Sequence, residues 1–174
     1  MKKTFLVFLI VVFLSFALSA GEEGVVIKDM ETFSYAAMEF TGSFEKMEQS
    51  IGEFMQEFFK QGLQPGGPLL GIYYNNPAQV KEEELKWAVG FSVPKDAKVG
   101  EPLKKVETTF KKAAMYLYTG PYEKMDKAYD KIFKYIEDKG CKIVWPCYDK
   151  YLNNPQTVKP EDLKTEIIVP VEKK

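Results

Sequence analysis

The chain has no histidine and no arginine, and only two cysteines among its 174 residues. The missing histidine excludes a histidine-based triad, a histidine-ligated metal and a histidine-ligated haem. Every basic residue is lysine, so the planar fork best suited to bidentate phosphate or guanine contacts is also missing. With 24 basic residues against 25 acidic ones the formal charge is -1. No global field draws this chain to nucleic acid, and none is expected as a partner. Cys141 and Cys147 are separated by "KIVWP"; in one extended strand they would sit near ~20 Å apart, beyond bonding reach. A disulfide would need the chain to turn at Trp145–Pro146, so two small buried thiols are the simpler expectation. No cofactor motif and no metal-ligand spacing occurs.

Hydrophobic residues make up 45% of the sequence and charged residues 28%, enough for a packed core. Lys2 and Lys3 precede an apolar run from Phe5 to Leu14, followed by "SFALSA". That pattern matches a leader peptide over 1–20, and the run is shorter than the ~20 residues a spanning helix needs. The expectation is therefore an extracytoplasmic product, free of the membrane after cleavage, with one domain over 21–174; an uncleaved anchor is the alternative.

"YNNPAQVKEEELK" at Tyr74–Lys86 is nearly rewritten as "LNNPQTVKPEDLK" at Leu152–Lys164. The correspondence holds without a gap from residue 41 to residue 86 at an offset of 78. It matches Thr41-Gly42 with Thr119-Gly120, Glu45-Lys46-Met47 with Glu123-Lys124-Met125, and Gly62 with Gly140. Two copies of one supersecondary unit are expected: 25–93 and 106–172, joined by a polar linker over 94–105.

Each unit reads strand, helix, strand, strand. "TFSYAAMEF" and "KKAAMYLY" are the opening strands. Phe44, Met47, Ile51, Phe54, Met55 and Phe58 fall at helical spacing, as do Tyr122, Met125, Tyr129, Ile132, Phe133 and Ile136. Gly62 and Gly140 mark the helix ends. Strands follow near Leu69–Tyr74 and Leu85–Val93, then near Lys142–Tyr151 and Thr165–Val171. Val25–Glu31 is expected to add to the first strand. The fold class is α+β: an antiparallel sheet, two helices on one face, and a ligand groove between the units.

The two units differ in their last strands. In the first, Trp87, Val89, Phe91 and Val93 share one face, and Ala88, Gly90 and Ser92 the other. At the positions of Ala88 and Gly90 the second unit carries Glu166 and Ile168. A carboxylate amid "TEIIVPV" reads either as an edge charge that blocks aggregation or as an acid facing a groove. Tyr35, Tyr73, Tyr74, Trp87, Tyr116, Tyr118, Trp145, Tyr148 and Tyr151 lie on expected strands or their ends. They read either as core or as aromatic walls for an amphipathic, often cationic, ligand. Asp149 is a second acid, on the opposite face of its strand from Tyr148. The candidate ligand set is thus Glu166, Tyr116, Tyr118, Tyr148, Trp145, Tyr35 and Asp149. If the protein is an enzyme, Glu166 is the catalytic candidate, as general acid or base aided by a tyrosine hydroxyl.

"AAMYLYTGPYEKMDKAYDKIFKYIEDKG", "CYDKYLNNP" and "LKTEIIVPV" together resemble the GyrI-like, or AraC-type effector-binding, domain over about residues 25 to 172. The resemblance implies two strand–helix–strand–strand units binding a small molecule between them. It also implies two kinds of relative: drug sensors fused to DNA-binding domains, and free-standing hydrolases of strained, cyclopropane-bearing toxins. The family's acid in the last strand falls on Glu166. Its acid before "Y-L-N-D-P" falls on Asp149, where glutamate is more usual. With a leader and no DNA-binding segment in this sequence, the expected role is an envelope small-molecule binder. The alternatives are a metal-independent hydrolase using Glu166, or an envelope protein that binds another protein through a sheet edge.

Overall fold

The structure, a computed structural model, describes residues 24–174; the expected leader over 1–20 lies outside them. Eleven elements follow in order: β1 (Val26–Asp29), β2 (Ser34–Thr41), α1 (Met47–Lys60), β3 (Leu69–Tyr73), β4 (Lys86–Val93), β5 (Lys104–Glu107), β6 (Lys112–Thr119), α2 (Met125–Asp138), β7 (Cys141–Ile143), β8 (Cys147–Tyr151) and β9 (Lys164–Lys173). From β1 to β4 every element has a counterpart that begins 78 residues later. The single antiparallel sheet runs β1-β6-β9-β8-β3-β4-β2-β5, with β7 paired to β9. The mixed α+β fold with two helices is as expected.

The shared "NNP" phrase is structural. Asn75 donates from Nδ2 to the Glu84 carbonyl (2.8 Å) and accepts from the Lys86 amide (3.1 Å). Asn153 does the same with Asp162 and Lys164, each at 2.9 Å. One side chain thereby staples each loop shut and sets the register of the following strand. Gly62 and Gly140, at φ 72° and 65°, end the helices in the left-handed region that glycine enters at no steric cost.

Three details depart from the sequence reading. β1 does not extend β2; it pairs with β6 of the other half, from Val26 opposite Met115 to Asp29 opposite Lys112. β5 reciprocates by pairing with β2, so the halves exchange their first strands. Each exchanged strand satisfies backbone groups of the partner half that would otherwise form a bare sheet edge. The stretch expected as one strand over Lys142–Tyr151 is broken into β7 and β8, because Pro146 has no amide to donate. Both pieces still lie along β9, and the Val144 amide reaches the Pro170 carbonyl between them (2.9 Å). Cys141 and Cys147 are both free thiols. The linker is packed rather than loose: Leu103 is buried, Ala97 and Val99 lie on the core under α1, and Gln61 makes two hydrogen bonds to Gly100.

Strand alternation sorts the core into layers. Phe54 and Phe58 of α1 pack on Ala36, Trp87, Val89 and Phe91 of the sheet. Ile132 and Ile136 of α2 pack on Ala114, Cys147, Ile167 and Val169 of the sheet. A third cluster, with Tyr35, Leu70, Ile72, Ala88, Tyr148 and Ile168, covers the opposite face. Both helices therefore sit on one face, each over its own half.

Candidate functional site

β3 and β8 join the halves, with Gly71 opposite Asp149 and Tyr73 opposite Cys147. α1 packs on β2 and β4 and α2 on β6 and β7, so this central pair runs along the strip between the helices. On its helix-facing side, period-two alternation places Leu69, Gly71 and Tyr73 of β3 beside Cys147, Asp149 and Tyr151 of β8. The turns that lead into the helices cover the strip with rings. Phe44 meets Tyr73 edge-on at 5.6 Å, and its counterpart Tyr122 meets Tyr151 edge-on at 5.4 Å. The Tyr73 and Tyr151 hydroxyls bond each other across the seam at 3.0 Å. Gly71 is required below them: a Cβ there would lie 2.9 Å from both hydroxyl oxygens.

Asp149 lies at the floor of this strip and is 1% exposed. Its Oδ1 accepts a hydrogen bond from the Tyr129 hydroxyl of α2 (2.7 Å). Burial drives its carboxyl up to about 7, and hydrogen bonds from Tyr129 and Tyr73 pull back only part of that rise. Among the described residues no lysine offsets the burial. Burial, with the carboxylate nearby, also raises the hydroxyls of Tyr73, Tyr129 and Tyr151 and the thiol of Cys147. These groups stay protonated donors at neutral pH. A buried carboxylate held by tyrosines, with no cationic side chain paired to it among the described residues, is costly to ionise.

The seven residues singled out in the sequence do not converge on one site. Asp149, Tyr116 and Tyr118 share the helix-facing side, but only Asp149 lies at the seam. Tyr118 donates to the Pro121 carbonyl (2.9 Å), and Tyr116 sits under the Lys131 ammonium at 4.5 Å from the ring centre. Tyr35, Tyr148 and Glu166 face the other way. There Tyr35 and Tyr148 pack against each other at 6.0 Å, with Phe33 and Phe110 over them. Trp145, in the turn between β7 and β8, joins Tyr35, Tyr74, Phe110 and Tyr148 around an open cleft of about 220 Å³. The acids on that cleft are Glu39 and Glu107, bound to Lys104 and Lys95. Glu166 does not line it; its Oε2 lies 3.2 Å from Lys150 Nζ.

Tyr73, Tyr129 and Tyr151, which surround Asp149, were not among those seven. A signal for them exists in the sequence. At the shared offset Asp149 falls on Gly71 and Tyr129 on Ile51, so a carboxylate and a hydroxyl appear together in the second half where the first has neither.

The family profile of the GyrI-like small molecule binding domain matches residues 24–172. No curated protein sequence matches the chain. Among solved structures, EcmrR in a complex with DNA superposes with a TM-score of 0.75 at 20% identity. That match covers 86% of this chain, which spans 57% of the EcmrR chain. A hydrolase from Listeria innocua matches with a TM-score of 0.63 at 15% identity, over 88% of this chain and 94% of its own. A protein solved bound to tetraphenylphosphonium gives 0.57 at 15% identity, over 85% and 93%. At these identities the likenesses establish the fold alone.

Proposed function

The chain belongs to the GyrI-like small molecule binding domain family, and on that premise we propose that it binds an amphipathic organic cation in the seam between its helices, with Asp149 as the counter-charge. One observation carries this reading: Asp149 is buried among tyrosine rings and hydroxyls, with no lysine paired to it among the described residues. A desolvated carboxylate is stabilised by a proton or by a cation brought in with its own apolar covering. A bulky organic cation supplies both charge and covering, and the rings of Tyr73, Tyr122 and Tyr151 offer it their negative faces. The seam is roofed by side chains that can part. Phe44, Tyr122 and Met47 are each half-buried, and Met47 Sδ lies 3.9 Å from the Tyr151 hydroxyl. Methionine adapts its shape to a guest at little cost.

The tetraphenylphosphonium-bound neighbour supports the choice of ligand class and supplies a probe. In calorimetric titration the protein should bind tetraphenylphosphonium, and Asp149→Asn should weaken binding at least tenfold while the fold is kept. Equal affinities in the two proteins would remove Asp149 from the mechanism.

Binding is preferred over hydrolysis on geometric grounds. Glu166 is already paired with Lys150, Tyr116 and Tyr118 stand on the opposite face of the sheet from it, and Tyr148, on its own face, is packed against Tyr35. We further propose an extracytoplasmic location, from the Lys2-Lys3 pair and the apolar run behind it. An intact mass retaining residues 1–20 in the native host would contradict cleavage. With no arginine and a net charge of -1, the domain is read as a small-molecule reader that makes no nucleic-acid contact of its own.

A further inference from the structure

The corner of the sheet beside the seam is filled differently in the two halves. In the first half Trp87 of β4 fills it. Its indole stacks on Phe40 at 4.9 Å, meets Phe44 at 5.9 Å, and donates from Nε1 to the Gly42 carbonyl at 3.1 Å. Every polar atom of that side chain is satisfied and the corner is packed shut.

In the second half the position of Trp87 is taken by Thr165 of β9. The positions of Phe40, Phe44 and Tyr73 are taken by Tyr118, Tyr122 and Tyr151. Thr165 stands opposite Tyr118 on one side and Tyr151 on the other. It is 0% exposed, and its hydroxyl is the buried side-chain oxygen without a partner among the described residues. A small polar residue thus replaces a large apolar one, within a wall of three tyrosines. Tyr118 spends its hydroxyl on the Pro121 carbonyl, and Tyr151 on Tyr73. Neither serves Thr165.

Thr165 also belongs to the seam. Asp149 is opposite Ile167, which puts Thr165 at the diagonal position on the same face, about 7–8 Å away between backbones. A charged group and an unfilled hydrogen-bonding group therefore share one aromatic enclosure. We infer that Thr165 is the second polar anchor of the ligand site, and that it selects cations that also carry a hydroxyl or carbonyl a few bonds from the charge. The inference rests on the reading of Asp149 as counter-charge. A ligand oxygen completes the Thr165 hydroxyl as donor or acceptor, while a bare apolar cation leaves it unpaired.

A matched pair of probes tests this: tetraphenylphosphonium and (4-hydroxyphenyl)triphenylphosphonium, titrated into wild type, Thr165→Val, Thr165→Ser and Asp149→Asn. Wild type should prefer the hydroxylated cation about fivefold to tenfold, the worth of one buried hydrogen bond. Thr165→Val keeps the branched shape and should abolish that preference, so that the two cations bind with one affinity. Thr165→Ser should retain the preference, and Thr165→Ala replaces the valine variant should that one not fold. A wild type without the preference, or a valine variant that keeps it, overturns the inference. Asp149→Asn should weaken both cations alike. If it weakens neither while the valine variant still loses the preference, the anchor stands and the counter-charge reading fails.

Discussion

Trp87 and Thr165 occupy equivalent places, as do Gly71 and Asp149, and Ile51 and Tyr129. In each pair the first half carries the apolar or empty member and the second the polar one. The backbone hardly registers the difference, since β2 and β6, α1 and α2, and β3 and β8 keep identical lengths. The first half closes its corner with an indole and serves as scaffold. The second leaves an acid, a hydroxyl and three tyrosines, Tyr122, Tyr129 and Tyr151, facing the seam. A frame with two similar halves can thus hold a one-sided site, because packing in one half maintains the geometry while the other departs from it.

The largest test of this contrast makes the first half resemble the second. Trp87→Thr deletes a fully buried indole that stacks on Phe40 and bonds the Gly42 carbonyl. It should cost about 4–5 kcal/mol in urea unfolding. A loss below about 1 kcal/mol would mean that the scaffold half does not depend on this packing.

The next effect is of similar size but depends on pH. Asp149 sits near 3.8 when unperturbed and is raised to about 7 in the folded protein. Between those values the native state holds a proton that the unfolded chain has released. Its stabilising contribution is therefore complete below about pH 4 and is lost as pH rises through about 7. Wild-type stability should fall by about 4 kcal/mol over that window relative to Asp149→Asn. Parallel stability curves for the two proteins would show that Asp149 is not held in a desolvated site. Cation affinity should move the opposite way, rising with pH up to about 7, since only the carboxylate offers a counter-charge.

The smallest expected effect sharpens the comparison from the other face. Glu166 and Lys150 form a partly exposed pair, and Glu166→Gln should change stability by about 1 kcal/mol or less. Tetraphenylphosphonium binding should be unaffected. A tenfold loss would move the site to the open face, where Tyr35, Tyr148 and Trp145 line their cleft.

Much of the architecture was legible in the residues. The offset of 78 located both helices and most of the strands, and helical spacing identified the faces they bury. The "NNP" loops could be read as turn chemistry because an asparagine that bonds its own loop needs no distant partner. The exchange of β1 and β5 could not be read, because each strand pairs with a residue run more than 60 positions away along the chain. The site was legible only in part. Alternation placed Asp149 and Tyr148 on opposite faces, yet it did not say which face would hold the charge without a partner. Glu166 stood out in sequence as a carboxylate in an apolar strand, and pairing across strands gave it Lys150.

The sequence by itself determined a two-part α+β chain with one-faced helices, stapled loops and a second half richer in polar groups. Those features follow from local periodicity and turn chemistry, which act over a few residues. Only the tertiary structure decided that Asp149 would be buried beside Tyr73, Tyr129 and Tyr151, and that the Thr165 hydroxyl would have no partner among the described residues. Burial and hydrogen-bond satisfaction depend on which distant segments cover a side chain, and that is fixed only when sheet and helices close over the seam.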